Sequence, residues 1–306
     1  MSDDAEVLWE PPADAWSSTQ VGMFAEWLTS TRGRRFGSYD EMWEWSVTDV
    51  EAFWAAIWEY FGIRSSAPYD AVLADAGMPG ARWFPGARLN YAEHILAGAR
   101  RSTHPDGAAL VSLSQTRPDA RVHADQLEDL VARARAGLRR LGVGVGDRVA
   151  AYLPSLPETV AAYLATLSLG AVWCVCPPEF GTRSVVDRLG QVQPKVLLAA
   201  DGYRFGDKPV DRTAEVAEIR AALPSLEHVV TLPYLYPDSL RIPDALPWAE
   251  LVAEPGELEF EQVPFDHPLH ILFSSGTTGL PKPIVHGHGG VLLDQLKSMT
   301  FHQNLG

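Results

Sequence analysis

Cysteine is nearly missing from this chain, and positive charge is in the minority. Only Cys174 and Cys176 occur in 306 residues, too few for a disulfide framework. They stand in the strand-like run AVWCVCP, where they are expected to point apart and not to bridge. The simplest reading is two small buried hydrophobes in a reduced, cytoplasmic protein rather than a metal or redox pair. Lys and Arg number 25 against 39 Asp and Glu, a formal charge of -14. That balance argues against a general binder of nucleic acid or anionic membrane and leaves room only for a local basic pocket. No stretch approaches the roughly 18 consecutive apolar residues of a spanning helix. The opening MSDDAEVLWEPP is acidic and lacks the apolar run of a signal peptide.

What is present is enough apolar material for a core: 46% hydrophobic against 21% charged residues, in a length that suits one large or two ordinary domains. Tryptophan is unevenly spread. Eight of the ten, from Trp9 to Trp83, precede residue 90. The clearest helix there is TDVEAFWAAIWEYFG, with Thr48 and Glu51 as a capping-box pair and Gly62 as its stop. Val50, Phe53, Trp54, Ile57, Trp58 and Phe61 form one wide apolar stripe at helical spacing, which could face a ligand but is more simply core. Residues 1–100 therefore read as a mostly helical leader.

From about residue 105 strands and helices alternate. AALVSL, DRVAAYLP, AVWCVCP and KVLLAAD read as strands. HADQLEDLVARARAGLRRLG, PETVAAYLATLSLG and TRSVVDRLGQVQ read as helices, the second opened by Pro157 and closed by Gly170. This is the pattern of a layered α/β domain with parallel strands, and residues 101–306 are assigned to it. Residues 203–266 are proline-rich and irregular, and read as a surface connector with one helix near RTAEVAEIRAAL.

The strand PLHILFSSG then runs into SSGTTGLPKPIVHGHGG. Gly276 and Gly279 allow positive φ and close approach of backbone N–H groups to an anion. Ser274, Ser275, Thr277 and Thr278 add hydroxyl donors, and Lys282 adds a mobile positive charge. The spacing is not that of a Walker A loop, and Pro281 and Pro283 forbid the helix that such a loop opens. A strand–loop–strand clamp for a polyphosphate is the better fit; a solvated Ser/Thr/Gly linker is the bland alternative. His286 and His288 alternate as they would on one strand face. A metal, a wall of a ligand site and ordinary packing all stay open for them, with no third ligand nearby to favour a metal.

ILFSSGTTGLPK resembles the signature of the adenylate-forming (AMP-binding) superfamily. FPGARLNYAEHIL, DRVAAYLPSLPETVAAYLATLSLGAVW, PPEFGTRSVVDRLGQVQPKVLLAADGYRFGDK and PKPIVHGHGG narrow the likeness to its acetoacetyl-CoA synthetase branch, beside the acetyl-CoA synthetases. The resemblance implies ATP, Mg2+ and coenzyme A as cofactors and acetoacetate as substrate, with acyl-adenylate formation followed by thioester formation. It implies that Ser274, Ser275, Gly276, Thr277, Thr278, Gly279 and Lys282 hold ATP phosphates. In DGYRFGDK it implies Arg204, assisted by Lys208, for the 3′-phosphate of CoA, although basic loop residues are more often only solvated. Pro283 departs from the Pro-Lys-Gly of many relatives and reads as a trait of the branch. Members of this branch carry an acyl pocket, a ribose-binding aspartate and a C-terminal domain with the adenylation lysine. None of these is found here, so no catalytic side chain is assigned and the chain is expected to be an incomplete, inert portion. Acetyl- or propionyl-CoA synthetase, and a non-catalytic nucleotide-binding or interaction module, are the rival readings.

Overall fold

The computed structural model describes residues 8, 10–12, 14–101, 104–275 and 279–305. Two compact units are present, one formed by residues 1–64, 69–85 and 290–306, the other by residues 65–68 and 86–289.

The first unit is helical. Its main helices are α1 (Gln20–Arg32), α2 (Tyr39–Thr48) and α3 (Val50–Tyr60). Thr19 and Ser38 cap the first two with side-chain oxygens, and Gly33, at φ +66, ends the first. The cap of α3 corrects the sequence expectation by one residue. Asp49 accepts from the Ala52 N–H at 3.3 Å, whereas Thr48 ends α2 and donates its hydroxyl to Glu44 O. Gly62 takes the expected left-handed turn at φ +59. Part of the apolar stripe is core: Ile57 and Trp58 are buried, and Trp58 stacks on Phe84 with centroids 4.8 Å apart. Val50, Phe53 and Trp54 instead line a cavity of about 430 Å³ that also meets Phe24, Trp43 and Lys297.

The second unit is built on a seven-stranded sheet. Its strands are β1 (Arg148–Tyr152), β2 (Val172–Cys176), β3 (Val196–Ala200), β4 (His228–Leu232), β5 (Leu246–Pro247), β6 (Pro268–Ser274) and β7 (Lys282–Gly287). The spatial order is β5-β4-β3-β1-β2-β6-β7. All neighbours are parallel except β6 and β7, an antiparallel hairpin at the edge. The crossovers use α4 (Pro157–Ser168) and α5 (Thr182–Val192). Pro157 starts α4 without losing a helical bond, and Gly170 at φ +66 ends it, as parallel β-α-β units require.

Two expectations fail here. HVVTL lies inside the stretch read as connector, yet β4 is an interior strand with Val229, Val230 and Leu232 buried. Cys174 and Cys176 do not point apart: residues two positions apart share a strand face, and both thiols sit in one apolar cluster with Tyr152, Leu189 and Leu197. They are free thiols.

Candidate functional site

The hairpin β6–β7 pairs in register from Pro268↔Gly287 to Ser274↔Lys282. Because β6 runs parallel to β2, its Ser274 end lies at the carboxyl edge of the sheet, where open α/β sheets take ligands. Ser274, Ser275, Gly279 and Lys282 are all exposed there. Gly279 has φ +95, and among the described residues no atom lies within 4 Å of where a Cβ would stand. Lys282 is the direct partner of Ser274, and among the described residues it forms no ion pair. An exposed lysine set across from a serine at the mouth of a hairpin suits an anion. Gly276, Thr277 and Thr278 lie outside the described residues.

The sequence reading missed what braces this hairpin. Gln191 of α5 donates its Nε2–H to Pro281 O at 2.9 Å. Arg188 of the same helix holds Ser184 through Oγ at 2.6 Å and lies over the rings of Phe180 and Phe273, 4.8 and 5.9 Å from their centroids. Gly181, Thr182, Arg183, Asp187, Arg188 and Pro281 border an open cleft of about 560 Å³ beside the loop. The only sequence signal for this bracing was a basic amphipathic helix, which by itself reads as a solvated face.

At the other end of the hairpin four histidines meet. His270 and His286 are cross-strand partners, and His267 and His288 lie with ring centroids 5.8 Å apart. The alternation expected for His286 and His288 does not exist, because His286 is in β7 and His288 opens the helix α6 (His288–Lys297). His288 is wholly buried, so its ring offers no wall to a ligand. Its Nδ1 accepts the Tyr91 N–H at 3.2 Å, while its Nε2 has no partner among the described residues. A ring that accepts at Nδ1 must carry its single proton on Nε2. Burial, with smaller contributions from His267 and His270, pushes its pKa down to about 3. Burial and the neighbouring His286 push His270 down to about 4. His270 also meets the Tyr163 hydroxyl, 3.3 Å from its Nδ1.

Arg204 and Lys208 lie on a two-stranded antiparallel ribbon, Gly202–Phe205 paired with Lys208–Asp211. The register sets Arg204 across from Pro209 and Lys208 across from Phe205. Adjacent cross-strand pairs face opposite sides of a ribbon, so these two exposed side chains are not brought together on one group. Among the described residues no three His, Cys, Asp or Glu side chains gather as a metal site. No described helix is long and apolar enough to cross a membrane.

A family model described as acetyl-coenzyme A synthetase N-terminus matches residues 39–95, and one described as AMP-binding enzyme matches residues 99–305. The chain is 40% identical to an acetoacetyl-coenzyme A synthetase of Rhizobium meliloti over 303 residues, covering 97% of this chain and 46% of that protein. It is 35% identical to a malonamoyl-CoA synthetase of Penicillium aethiopicum, over 98% of this chain and 43% of that protein. The solved acetoacetyl-CoA synthetase from Streptomyces lividans superposes with a TM-score of 0.93 at 46% identity, over 99% of this chain and 46% of that one. The chain thus spans about half the length of the relatives it matches. With two thirds of its residues under the AMP-binding model, the chain belongs to the AMP-binding enzymes.

Proposed function

We propose that this chain supplies the phosphate-gripping portion of an ATP-dependent acid–thiol ligase whose acid is a short 3-carbonyl carboxylate, acetoacetate in the first place. The observation that carries the reading is Lys282 set directly across from Ser274 at the open mouth of the hairpin. Two of the relatives are named for acetoacetyl-CoA and malonamoyl-CoA. Acetoacetate and malonamate share one skeleton, a carboxylate with a carbonyl on the β-carbon, which supports the substrate class.

In the first half-reaction a carboxylate oxygen attacks the α-phosphorus of ATP. The bond to the bridging oxygen breaks, and pyrophosphate leaves with that electron pair. In the second, the CoA thiolate attacks the acyl carbon and AMP departs with the carboxyl oxygen. The task of this chain is to hold the β- and γ-phosphates in line and offset their charge. Ser274, Ser275 and Lys282 do so by donated hydrogen bonds, with Gly279 keeping the backbone close; Gly276, Thr277 and Thr278 complete the loop in this reading. The donor set at the mouth is hydroxyls and an ammonium. Magnesium fits it as an ion carried on phosphate oxygens, where it would neutralise charge, and no protein carboxylate is assigned to it. Arg204 takes the 3′-phosphate of CoA. Lys208, on the other face of the ribbon, is released from that role.

Calorimetric titration of MgATP tests the grip. Lys282→Ala removes one charge-assisted contact and is expected to weaken binding about tenfold with unchanged melting temperature; equal affinity would remove the reading. Pyrophosphate release on the polypeptide at the length of its relatives tests the acid. Faster release with acetate than with acetoacetate or malonamate would overturn the substrate class, and nucleotide binding with no release for any acid would make the protein a binding module.

A further inference from the structure

We propose that Gly287-His288-Gly289 is a register key, with His288 as the positioning residue that keeps Lys282 opposite Ser274. The key itself stands on geometry; what Lys282 does in that position rests on the nucleotide reading above.

The ladder alone does not fix the register. Between Pro268 and His270 it carries an irregularity: Pro268 pairs with Gly287, but His270, two residues on, pairs with His286. A bulge of this kind at the root of an edge hairpin leaves a neighbouring register close at hand. A slip of one residue would turn Lys282 to the opposite face from its present partner, since strand side chains alternate.

The three residues after Val285 and His286 prevent that slip. The His288 N–H donates to His267 O at 3.0 Å and the Gly289 N–H to Phe265 O at 2.8 Å, clasping the end of β7 to the segment before β6. The buried His288 ring then reaches Tyr91, the first residue of a helix capped by Asn90. Its Nδ1 satisfies an amide that the helix itself leaves without a partner. A shift in either direction would bring a glycine to that amide, with no side-chain atom to accept. The same shift would drive the imidazole into occupied space. A Cβ at Gly289 would stand 2.1 Å from the Phe265 ring, and one at Gly287 would stand 3.1 Å from the Asp266 backbone. The middle position alone admits a side chain, and the trio's only side-chain acceptor is there.

Backbone hydrogen exchange on the wild type, His288→Leu and His288→Asn decides the matter, read beside MgATP affinity. Leucine fills the space without an acceptor; asparagine restores an acceptor near Nδ1. For His288→Leu the amides of residues 282–287 should exchange about tenfold faster, as expected for one lost buried hydrogen bond, and MgATP should bind correspondingly more weakly. The amides of residues 148–152 and 196–200 should hold their rates, and His288→Asn should recover most of both losses. Acceleration spread evenly over all strands, no acceleration at 282–287, or failure of asparagine to recover either readout would overturn the key. Should the leucine variant not fold, the ¹⁵N shifts of the wild-type imidazole at neutral pH still decide: a protonated Nδ1 cannot accept from Tyr91 and overturns the key, and a bare Nδ1 supports it. If the wild type binds no MgATP, the nucleotide reading falls, while the exchange and tautomer results still judge the register.

Discussion

His270 and His286 face each other across the two strands of the edge hairpin, with ring centroids 5.1 Å apart. At this root of the hairpin burial holds two imidazoles neutral, those of His270 and His288. His288, pushed down to about 3, and His270, pushed down to about 4, both titrate below the ordinary value of 6.5. The unfolded chain therefore binds more protons than the folded one as pH falls below 6.5. The stability due to these neutral rings is present in full above that pH and is lost progressively toward pH 3–4. For the buried His288 alone the loss at pH 5 is about 2 kcal/mol. Chemical denaturation at pH 7.5 and pH 5 measures it, and His288→Asn should flatten the difference.

The two glycines that follow His288 differ in what surrounds them. A Cβ at Gly289 meets the Phe265 ring, whereas at Gly290 it meets nothing within 4 Å. Gly289→Ala is expected to destabilise by about 1–3 kcal/mol through overpacking. Gly290→Ala, within a helix, is expected to stabilise by up to about 1 kcal/mol. Urea midpoints of the two variants should move in opposite directions.

The cap of α3 gives a comparison of neighbours. Asp49→Ala removes the acceptor for the Ala52 N–H and should cost about 1 kcal/mol. Thr48→Ala removes only a hydroxyl that donates back to Glu44 O and should change stability by less than about 0.5 kcal/mol. Thermal melts rank the pair.

The thiols of Cys174 and Cys176 are buried, and burial pushes them up to about 12 and about 11. Thiolate is the reactive form, so neither should react with a disulfide reagent at pH 8 until the chain unfolds. A labelling rate that tracks global unfolding, measured against denaturant, checks this.

Much of the second unit was legible because its punctuation is local. Pro157 and Gly170 bracket α4, and short apolar runs such as KVLLAAD, set between turn signals, suit strands buried on both faces. The hairpin was legible because glycine, hydroxyl residues and a proline-flanked lysine lie between two apolar segments. What stayed hidden depends on distance in sequence. β4 was masked by the prolines around HVVTL, and only its pairing with β3 and β5 makes it a strand. His288 reads like His286 in the sequence. They part company because Tyr91, 197 residues earlier, offers an amide to one of them. The brace from Gln191 to Pro281 likewise spans 90 residues and leaves no periodic trace. The slip at α3 was of another kind: Thr48 and Asp49 are both good caps, and the preceding helix claims the threonine.

The strand order also sets a timetable. β6 docks on β2, made about a hundred residues earlier, and among the described strands β7 pairs with β6 alone. During synthesis the inner strands and their helices can be in place before the glycine-rich loop leaves the ribosome. The lysine across from Ser274 is thus mounted on a finished platform, and an early error in β2 would leave the late hairpin with nothing to join.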